Sequence, residues 1–534
     1  MACSYMFLAC PYIVYRGLRT YTIDDGKDQG EACMNIINID EFKDKVYGCW
    51  TGKNIGGTLG APFEGKKELL DIDFYSQDLK GASIPNDDLD LQLVWFQAIK
   101  EYGIHNLNSR ILAEFWHSVV NGPWNEYGVG RTNIRMGLLP PLSGSCNNDR
   151  WKWSNGAWIR SEIWACMAPG DPDRAIQYAY MDACVDHSGE GIYAEMFTAS
   201  LESAAFLISD INDLIKIGLC KIPADSRVAR SVKIAIDHYK AGKDWKSARN
   251  AILKDSVDLG WFQAPANIGF TVVGLLYGEG DFGKTICTAV NCGDDTDCTG
   301  ATAGAIMGII AGRKALPEKW TSPIGEAIST VCITPFMAPP RSLTVLTEQV
   351  VAETLDQGKP WRMRSAAQGS LAVTIDSRKT QHDDALLEKL SGTGAAAGIW
   401  KLSPYALTFD LSNIQVVVDY IDGPDIASGV EKKMRIQIDR SHKLWVYEKM
   451  ITVNWRLPDG WQMTPDRNLT FYICGNKAAE CDLSITPGII DDGFSYIELE
   501  VSENGRLTPS ILTIPFQKRS SVCFSQNAES PIQL

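Results

Sequence analysis

Two short clusters of aspartate, far apart in the chain, contain the residues best suited to do chemistry. The first is NDDLD at residues 86–90 and the second is GDDTD at residues 293–297. Acids so close together repel one another unless a cation neutralises them. Carboxylate and amide oxygens are the ligands that Mg²⁺ and Mn²⁺ prefer. The clusters therefore predict two halves of one binuclear metal site.

Each cluster stands just before a segment with helical spacing of apolar residues, LQLVWFQAI after the first and CTGATAGAIMGIIAG after the second. A structural interpretation stays open, because the helix dipole and unpaired amides favour acids on any first turn. Residues two apart on a helix point about 200° apart. Asp295 and Asp297 can therefore share a ligand only at a loop-to-helix junction, which Gly293 provides.

Glycine recurs at every fourth position beside both clusters. The stripes are Gly48, Gly52, Gly56 and Gly60, then Gly300, Gly304, Gly308 and Gly312. A glycine inside a helix costs roughly 1 kcal/mol relative to alanine. A stripe on one helix face offsets this cost by letting a neighbouring helix approach closely. We expect two central core helices that hold the acidic clusters rigidly.

Four segments together resemble the ADP-ribosylglycohydrolase family, also called the DraG-like hydrolases. They are GCWTGKNIGGTLGAPFEG at 48–65, NDDLD, NGAWIR at 155–160 and AVNCGDDTDCTGATAGAI at 289–306. The order and spacing fit over roughly residues 40–335. The resemblance implies an all-α orthogonal helical bundle, two divalent metals in a cleft, and hydrolysis at the anomeric carbon of an ADP-ribosyl group.

The resemblance also implies roles for particular residues. Metal ligands fall on Asn86, Asp87, Asp88, Asp295, Asp297 and Cys298. Catalytic positions fall on Glu64, Asp87 and Asp88. Substrate-binding positions fall on Asn155, Gly156, Arg160, His187 and Gly293.

Two ligand positions depart from the family pattern, which has threonine where this chain has Asn86 and Cys298. An asparagine carbonyl is an acceptable oxygen ligand for Mg²⁺. A neutral thiol is a poor one, so one of two Mg²⁺ or Mn²⁺ positions is expected to be weak. Thr299 is a candidate to replace the thiol, and Asp90 is a further acid that can compensate.

The predicted chemistry keeps two alternatives open. Metals would polarise the sugar and hold a water that Asp87 or Asp88 orients for attack. Glu64 is the alternative general base or acid, as in carboxylate-driven glycosidases. Glu162, Glu190 and Glu195 are second-line acid candidates.

A loop segment rich in aromatic residues and arginine lies between the two clusters. Its aromatic residues Trp124, Tyr127, Trp151, Trp153 and Trp158 can stack on a sugar or a base, or simply fill irregular loop cores. Its arginines Arg131, Arg135 and Arg160 can bind hydroxyls, carboxylate or phosphate. The histidines at 105, 117, 238, 382 and 442 show no ligand spacing and are interpreted as structural.

The pattern of apolar residues divides the chain into a helical part and a β-rich part. Helical spacing dominates before about residue 345, and period-two alternation dominates after Trp400. We predict an N-terminal extension at 1–38, an all-α catalytic domain at 39–345, a connector at 346–399 and a β-sandwich at 400–534.

Composition excludes some partners. The formal net charge of −14 argues against binding the phosphate backbone of a nucleic acid. The 15 cysteines are scattered without metal-ligand spacing, and the apolar N-terminus lacks a preceding basic region, so a cytoplasmic protein is favoured over an exported one. No apolar run is long enough for a membrane span. The expected partner is a small-molecule or glycoside substrate, and no oligomeric state is predicted.

Three functions remain to be compared. The first is hydrolysis of an N- or O-glycosidic bond at an ADP-ribosyl or ribosyl-like group. The second is a glycoside hydrolase that uses the same metal site on a carbohydrate without a nucleotide, which the altered ligands and the added β domain favour by analogy. The third is a non-catalytic, crystallin-like or ligand-binding homologue, against which the retained acids argue.

Overall fold

The computed structural model describes residues 39–356 and 384–518, except 412, 441–447, 475–476 and 491–493. The N-terminal extension at 1–38, His382 and His442 lie outside these residues. The helices are α1 (Ile39–Gly60), α2 (Asp87–Tyr102), α3 (Ser109–Ser118), α4 (Asn125–Arg135), α5 (Leu142–Ser145), α6 (Glu162–Met167), α7 (Pro172–Ala183), α8 (Glu190–Ala205), α9 (Ile211–Cys220), α10 (Arg227–Lys240), α11 (Trp245–Asp255), α12 (Ala264–Tyr277), α13 (Phe282–Asn291), α14 (Thr296–Ala311), α15 (Glu318–Thr321), α16 (Leu343–Asp356), α17 (Asp384–Leu390) and α18 (Gly394–Ile399).

Helices α1 and α14 form the centre of the helical region, and their two glycine stripes pack against each other. Gly52 lies against the backbone of Gly304, and Gly56 lies against that of Gly300. A Cβ atom on either α1 glycine would overlap a carbonyl oxygen of α14. The two backbones are therefore in direct contact, and their ends are held in a fixed relation.

The amphipathic helices around this pair bury one large hydrophobic core. Helix α16 packs on α1 and α6, while α18 packs on α7 and α17 on α9. Residues 343–356 thus extend the helical packing, and the predicted domain boundaries stay predictions. Within the described ranges, none of the helices combines the length and apolar character needed to cross a bilayer.

The C-terminal region is built of two five-stranded sheets. The strands are β1 (Ala406–Leu411), β2 (Ile414–Asp419), β3 (Asp425–Ile426), β4 (Lys432–Arg440), β5 (Lys449–Arg456), β6 (Gln462–Thr464), β7 (Asn468–Ile473), β8 (Ala479–Thr486), β9 (Phe494–Glu503) and β10 (Ser510–Lys518). One sheet has the order β1-β2-β4-β8-β6 and the other β3-β10-β9-β5-β7. Neighbouring strands are antiparallel except for the parallel pair of β3 with β10.

Alternating side chains of these strands enter a second hydrophobic core, which contains residues from both sheets. In β4, for example, Met434, Ile436 and Ile438 are buried and the residues between them are more exposed. Leu138 and Leu142 of the helical region belong to the same core. The β region is therefore anchored on the segment that includes α5.

Candidate active site

A cavity of about 520 Å³ opens where the N-termini of α2 and α14 meet the loop that follows α1. Its lining residues are Ala61, Glu64, Ile84, Pro85, Asn86, Asp87, Trp124, Asn125, Glu126, Tyr127, Ser154, Asn155, Gly156, Ile159, Phe262, Asp295, Asp297, Cys298 and Val331. Members of both predicted aspartate clusters are among them. The structure therefore brings together residues that are more than 200 positions apart in the sequence.

The first cluster is fixed by the cap of α2. The Asn86 side chain accepts a hydrogen bond from the Asp88 amide at 2.7 Å, as an N-cap residue does. Its amide nitrogen donates to Asp297 Oδ2 at 3.1 Å, and the Cys298 thiol donates to Asp88 Oδ1 at 3.4 Å. These two bonds join the start of α2 to the start of α14.

The second cluster is held in a loop that only a few residue types can form. Gly293 and Asp294 both have positive φ, at 78° and 68°. The Asp294 amide donates to the carbonyl oxygen of Lys66 at 2.8 Å, and Gly65 donates to the carbonyl oxygen of Asp294 at 2.8 Å. A Cβ atom on Gly293 would overlap the carbonyl oxygens of Lys66 and Glu68. This packing explains why residue 293 is a glycine. The expected contact of Gly293 with substrate stays a prediction.

Asp294 stabilises that loop, whereas Asp295 faces the cavity. The Asp294 carboxylate accepts from Asn267 Nδ2 at 3.1 Å and from the Phe262 amide at 3.3 Å. Asp295 is the N-cap residue of α14, yet its side chain does not cap the helix. It accepts instead from Asn155 Nδ2 at 2.6 Å.

Two overlapping groups of side chains could hold cations. Ligand atoms of Asp88, Asp297 and Cys298 lie within 4.8 Å of one another, and so do those of Glu64, Asp295 and Asp297. Asp88 Oδ2, Asp295 Oδ1 and Asp297 Oδ1 are buried and have no hydrogen-bond partner among the described residues. Buried carboxylate oxygens without a partner fit divalent cations, which supply the missing positive charge.

The electrostatics of the cavity reflect this crowding of acids. The Asp297 carboxylate, together with burial and Asp87, raises the pKa of Glu64 to about 8. Burial followed by Asp297 raises the pKa of Asp295 well above its ordinary value. Burial also raises the pKa of the Cys298 thiol, which therefore stays neutral and is a weak ligand for a hard cation.

Lys53 provides a positive charge behind the cavity that the sequence analysis did not single out. Its Nζ lies 2.8 Å from Glu162 Oε1 and 3.8 Å from Asp88 Oδ2. Burial alone would lower the pKa of Lys53, but Glu162 and Asp88 raise it, so the ammonium stays charged. Lys53 is the one charged residue between Gly48 and Gly60, the glycine-rich part of α1, and this was the signal in the sequence.

The segment predicted to bind substrate contributes Ser154, Asn155 and Gly156 to the cavity wall. The side-chain carbonyl oxygen of Asn155 accepts a hydrogen bond from Trp158 Nε1 at 3.0 Å. This bond fixes the side-chain amide, whose nitrogen donates to Asp295. Tyr127 lies opposite and donates its hydroxyl to Asp87 Oδ2 at 2.8 Å. The asparagine and the tyrosine therefore orient one aspartate from each cluster.

Arg160 and His187, both expected at the ligand, lie behind this wall and are fully buried. The Arg160 guanidinium lies 2.8 Å from Asp182 and 2.6 Å from Asp186. His187 Nδ1 lies 2.8 Å from Asp186, and its Nε2 is 3.2 Å from the Ser154 hydroxyl. The structure thus gives them partners in the fold, and direct contact with a ligand stays a prediction.

Several other candidate residues also have structural partners. Thr299 donates its hydroxyl to the Thr296 carbonyl at 3.2 Å. Asp90 accepts from the amides of Val331 and Cys332, each at 2.7 Å. Further partners are Glu162 with Lys53, Glu190 with the amides of Arg227 and Val228, Glu195 with Asp182, Arg131 with the carbonyl of Gly122, and Arg135 with His117.

Glu126 is a cavity residue that the sequence analysis missed. Its side chain is buried, and Oε1 accepts a hydrogen bond from the Gly156 amide at 3.1 Å. Its other oxygen, Oε2, has no hydrogen-bond partner among the described residues. Its position between Trp124 and Tyr127 in the aromatic loop was the available signal, since both neighbours also line the cavity.

The family model for ADP-ribosylglycohydrolase matches residues 38–359, and the chain therefore belongs to the ADP-ribosylglycohydrolase family. At the level of the family this is a hydrolase of ADP-ribosyl-type linkages. A solved structure titled "ADP-ribosylglycohydrolase-related protein complex" is similar over 59% of this chain and 97% of its own, with 17% identity and a TM-score of 0.40. No curated protein matches the chain.

Proposed function

We propose that this protein is a divalent-cation-dependent hydrolase that cleaves an N- or O-glycosidic bond at an ADP-ribosyl or ribosyl-like group. The supporting observation is the convergence of Asp88, Asp295 and Asp297, each with an oxygen that has no hydrogen-bond partner among the described residues. A buried carboxylate oxygen without a hydrogen-bond partner is costly, so a site that retains three such oxygens favours cation binding over a purely structural role.

Mg²⁺ or Mn²⁺ would be held by two overlapping sets of ligands that share Asp297. One set is Asp88, Asp297 and Cys298, with Asn86, Asp87 and Thr299 adjacent in sequence, and the other is Asp295 and Asp297, with Glu64 beside them. When bound, the cations would polarise sugar hydroxyls and lower the pKa of a bound water. The neutral Cys298 thiol makes the position beside Asp88 the weaker one.

Asp87 is better placed than Asp88 to orient the attacking water. Asp87 lines the cavity and is positioned by the Tyr127 hydroxyl. Asp88 instead has the Cys298 thiol on one oxygen and the Lys53 ammonium near the other. Asp88 therefore serves as a ligand and Asp87 as the base.

Glu64 is proposed as the general acid. It lines the cavity, and it lies beside Asp295 and Asp297. A carboxyl group at such a position can protonate the leaving oxygen or nitrogen while Asp87 takes the proton of the water. Trp124 and Tyr127, also in the lining, offer aromatic faces for the substrate.

Thermal unfolding with and without Mg²⁺ or Mn²⁺, followed by hydrolysis of ADP-ribosyl and simple ribofuranosyl substrates, tests the proposal. E64Q and D87N should lose at least about 100-fold in kcat. E64Q should keep the cation-induced rise in Tm. E114Q changes an exposed glutamate of α3 and should behave as wild type. No cation effect on Tm would refute the metal site, and cation binding without turnover would favour the non-catalytic alternative.

Four further predictions from the sequence stay proposals. The helical region is an orthogonal bundle, and the two sheets form a sandwich, because one hydrophobic core takes buried side chains from strands of both sheets. The domains run from 39 to 345 and from 400 to 534, with the connector at 346–399 between them. A cytoplasmic location remains the favoured prediction.

A further inference from the structure

The two candidate cation positions differ in the donor atoms that they offer. One group, Glu64, Asp295 and Asp297, offers only carboxylate oxygens. The other group, Asp88, Asp297 and Cys298, adds a sulfur. Mg²⁺ and Mn²⁺ prefer oxygen ligands, whereas a thiolate sulfur favours softer cations, of which Zn²⁺ also accepts carboxylate oxygens. The two positions therefore suit different classes of metal.

The sulfur of Cys298 belongs to a compact set of ligand atoms that borders the cavity. The ligand atoms of Asp88, Asp297 and Cys298 lie within 4.8 Å of one another, and Cys298 Sγ is 3.4 Å from Asp88 Oδ1. These three residues are 1%, 5% and 6% exposed, and the last two line the cavity. Three protein ligands and one water complete a tetrahedral zinc site, so the set has the size and composition of such a site.

Two carboxylate oxygens of this set point to a cation independently of the thiol. Asp88 Oδ2 and Asp297 Oδ1 are buried and have no hydrogen-bond partner among the described residues. The Cys298 thiol does not satisfy either of them, since it donates to the other oxygen of Asp88. Lys53 Nζ lies 3.8 Å from Asp88 Oδ2, beyond hydrogen-bond distance. Buried carboxylate oxygens without a donor favour a bound cation.

The residues that could give this position a further oxygen ligand have other partners. Asn86 Oδ1 accepts from the Asp88 amide at 2.7 Å, and the side chain directs its nitrogen, not its oxygen, to Asp297. The Thr299 hydroxyl donates to a backbone carbonyl of its own helix at 3.2 Å. Neither residue therefore replaces the sulfur of Cys298, and the position keeps two carboxylates and one thiol as its donors.

We propose that the position formed by Asp88, Asp297 and Cys298 binds a thiophilic divalent cation of the Zn²⁺ and Co²⁺ class, whereas the position beside Asp295 takes Mg²⁺ or Mn²⁺. Binding breaks the S–H bond of Cys298, forms a bond between the sulfur and the cation, and releases the proton to solvent. No oxidation or reduction is involved. The proposal rests on the proposed function and specifies its metals.

Titration of the full chain with Co²⁺ in saturating Mg²⁺ tests the proposal, because a thiolate bound to Co²⁺ absorbs in the near ultraviolet and an oxygen ligand does not. The wild type should show this absorption, and it should saturate at a single equivalent. Removing an outer partner of a metal ligand weakens binding about 10- to 100-fold. C298T removes the ligand itself, so it should abolish the absorption and lower the Co²⁺ affinity at least about 100-fold.

C474T, at an exposed cysteine, is the matched control and should keep the absorption. A wild type without thiolate absorption at saturating Co²⁺ would overturn the proposal, even if C298T does not fold. Absorption that persists in a folded C298T would also overturn it, because another cysteine would then be the ligand. If neither Mg²⁺ nor Mn²⁺ raises the Tm, the proposed function itself fails. A Mg²⁺ effect on the Tm without thiolate absorption overturns only the thiophilic position and leaves that function intact.

Discussion

Two groups of aspartates in the helical region differ in how far neighbouring cationic groups compensate their negative charge. In the group behind the cavity wall, the Arg160 cluster (Arg160, Asp182, Asp186 and His187), every aspartate has a cationic or hydrogen-bonding partner. In the cavity, the metal cluster (Asp87, Asp88, Asp295 and Asp297), only Lys53 supplies positive charge among the described residues, and it lies 3.8 Å from Asp88.

We interpret the ion pairs of the Arg160 cluster as stabilising the fold, and the less compensated carboxylates of the metal cluster as available to bind a ligand. Arg160 and His187 hold the pKa of Asp186 at about 2, although burial alone would raise it. Burial and neighbouring acids raise the pKa of Asp88 and Asp295 instead. Asp186, Asp88 and Asp295 are all at most 5% exposed, so the contrast among these three follows from the charges near them and not from burial alone. Burial raises the pKa of Asp182 to about 6 even though Arg160 lowers it, so the Arg160 cluster itself contains both cases.

The largest expected effect is on stability, from removing the internal cation of the Arg160 cluster. Arg160→Met leaves Asp182 and Asp186 buried without their guanidinium partner and should lower the free energy of unfolding by about 3–5 kcal/mol. Urea denaturation measures this loss. A change below about 1 kcal/mol would show that the cluster does not stabilise the fold.

Asp297→Asn in the metal cluster should have the opposite effect on the cation-free protein. It removes a charge that repels Glu64 and Asp295, so the variant should unfold at a higher temperature than wild type without metal. Its Mn²⁺ affinity should fall at least about 100-fold, or about 2.8 kcal/mol. Asp149→Asn, at an exposed aspartate, is the matched control. Equal affinity in the D297N and D149N variants would contradict the assignment.

The third prediction concerns how the contribution of Asp186 to the free energy of unfolding depends on pH. Its folded pKa of about 2 lies below the ordinary value of 3.8. Its contribution to stability is therefore present above pH 4 and is lost as the pH falls towards 2. The full contribution is roughly 2 kcal/mol, of which about half should be gone by pH 3. The difference in unfolding free energy between wild type and D186N should shrink accordingly, and a constant difference would argue against the ion pair.

The smallest expected effect is a gain at the weak metal position. Cys298→Thr replaces a neutral thiol with a hydroxyl oxygen, a better ligand for Mg²⁺. Mg²⁺ affinity should rise about tenfold, or about 1.4 kcal/mol, as measured by calorimetry. Cys474→Thr, at an exposed cysteine, should leave the affinity unchanged. Unchanged or weaker Mg²⁺ binding by C298T would show that position 298 is not a ligand.

Periodicity in the sequence was enough to divide the chain into helical and β-rich parts. Helical spacing of apolar residues at 42–60, 89–102, 173–186, 194–208, 226–240 and 298–311 predicts helices there, and α1, α2, α7, α8, α10 and α14 overlap these segments. Alternation at 407–411, 414–421, 433–439, 443–455, 469–474 and 495–503 predicts strands there, and β1, β2, β4, β5, β7 and β9 overlap these segments. Strand β10 was missed, since Pro515 interrupts its pattern and proline usually argues against an interior strand.

The site was predictable where its features are local. Acids at the starts of α2 and α14 are visible in the sequence because capping and glycine patterns mark helix starts. Lys53 and Glu126 were not, because their roles depend on distant partners. Lys53 pairs with Glu162, 109 residues away, and Glu126 accepts from Gly156, 30 residues away. Arg160 is the opposite case. Its motif predicted contact with a ligand, whereas in the structure its guanidinium pairs with buried aspartates from another part of the chain.

The central claim is that the metal cluster is incomplete without divalent cations. The most direct measurement is an anomalous difference map from crystals of the full chain soaked in Mn²⁺. We predict a peak within about 2.5 Å of the Asp297 carboxylate on the side of Asp295, and a weaker second peak on the side of Asp88 and Cys298. A cavity without anomalous density at saturating Mn²⁺, or density only at surface carboxylates, would contradict it.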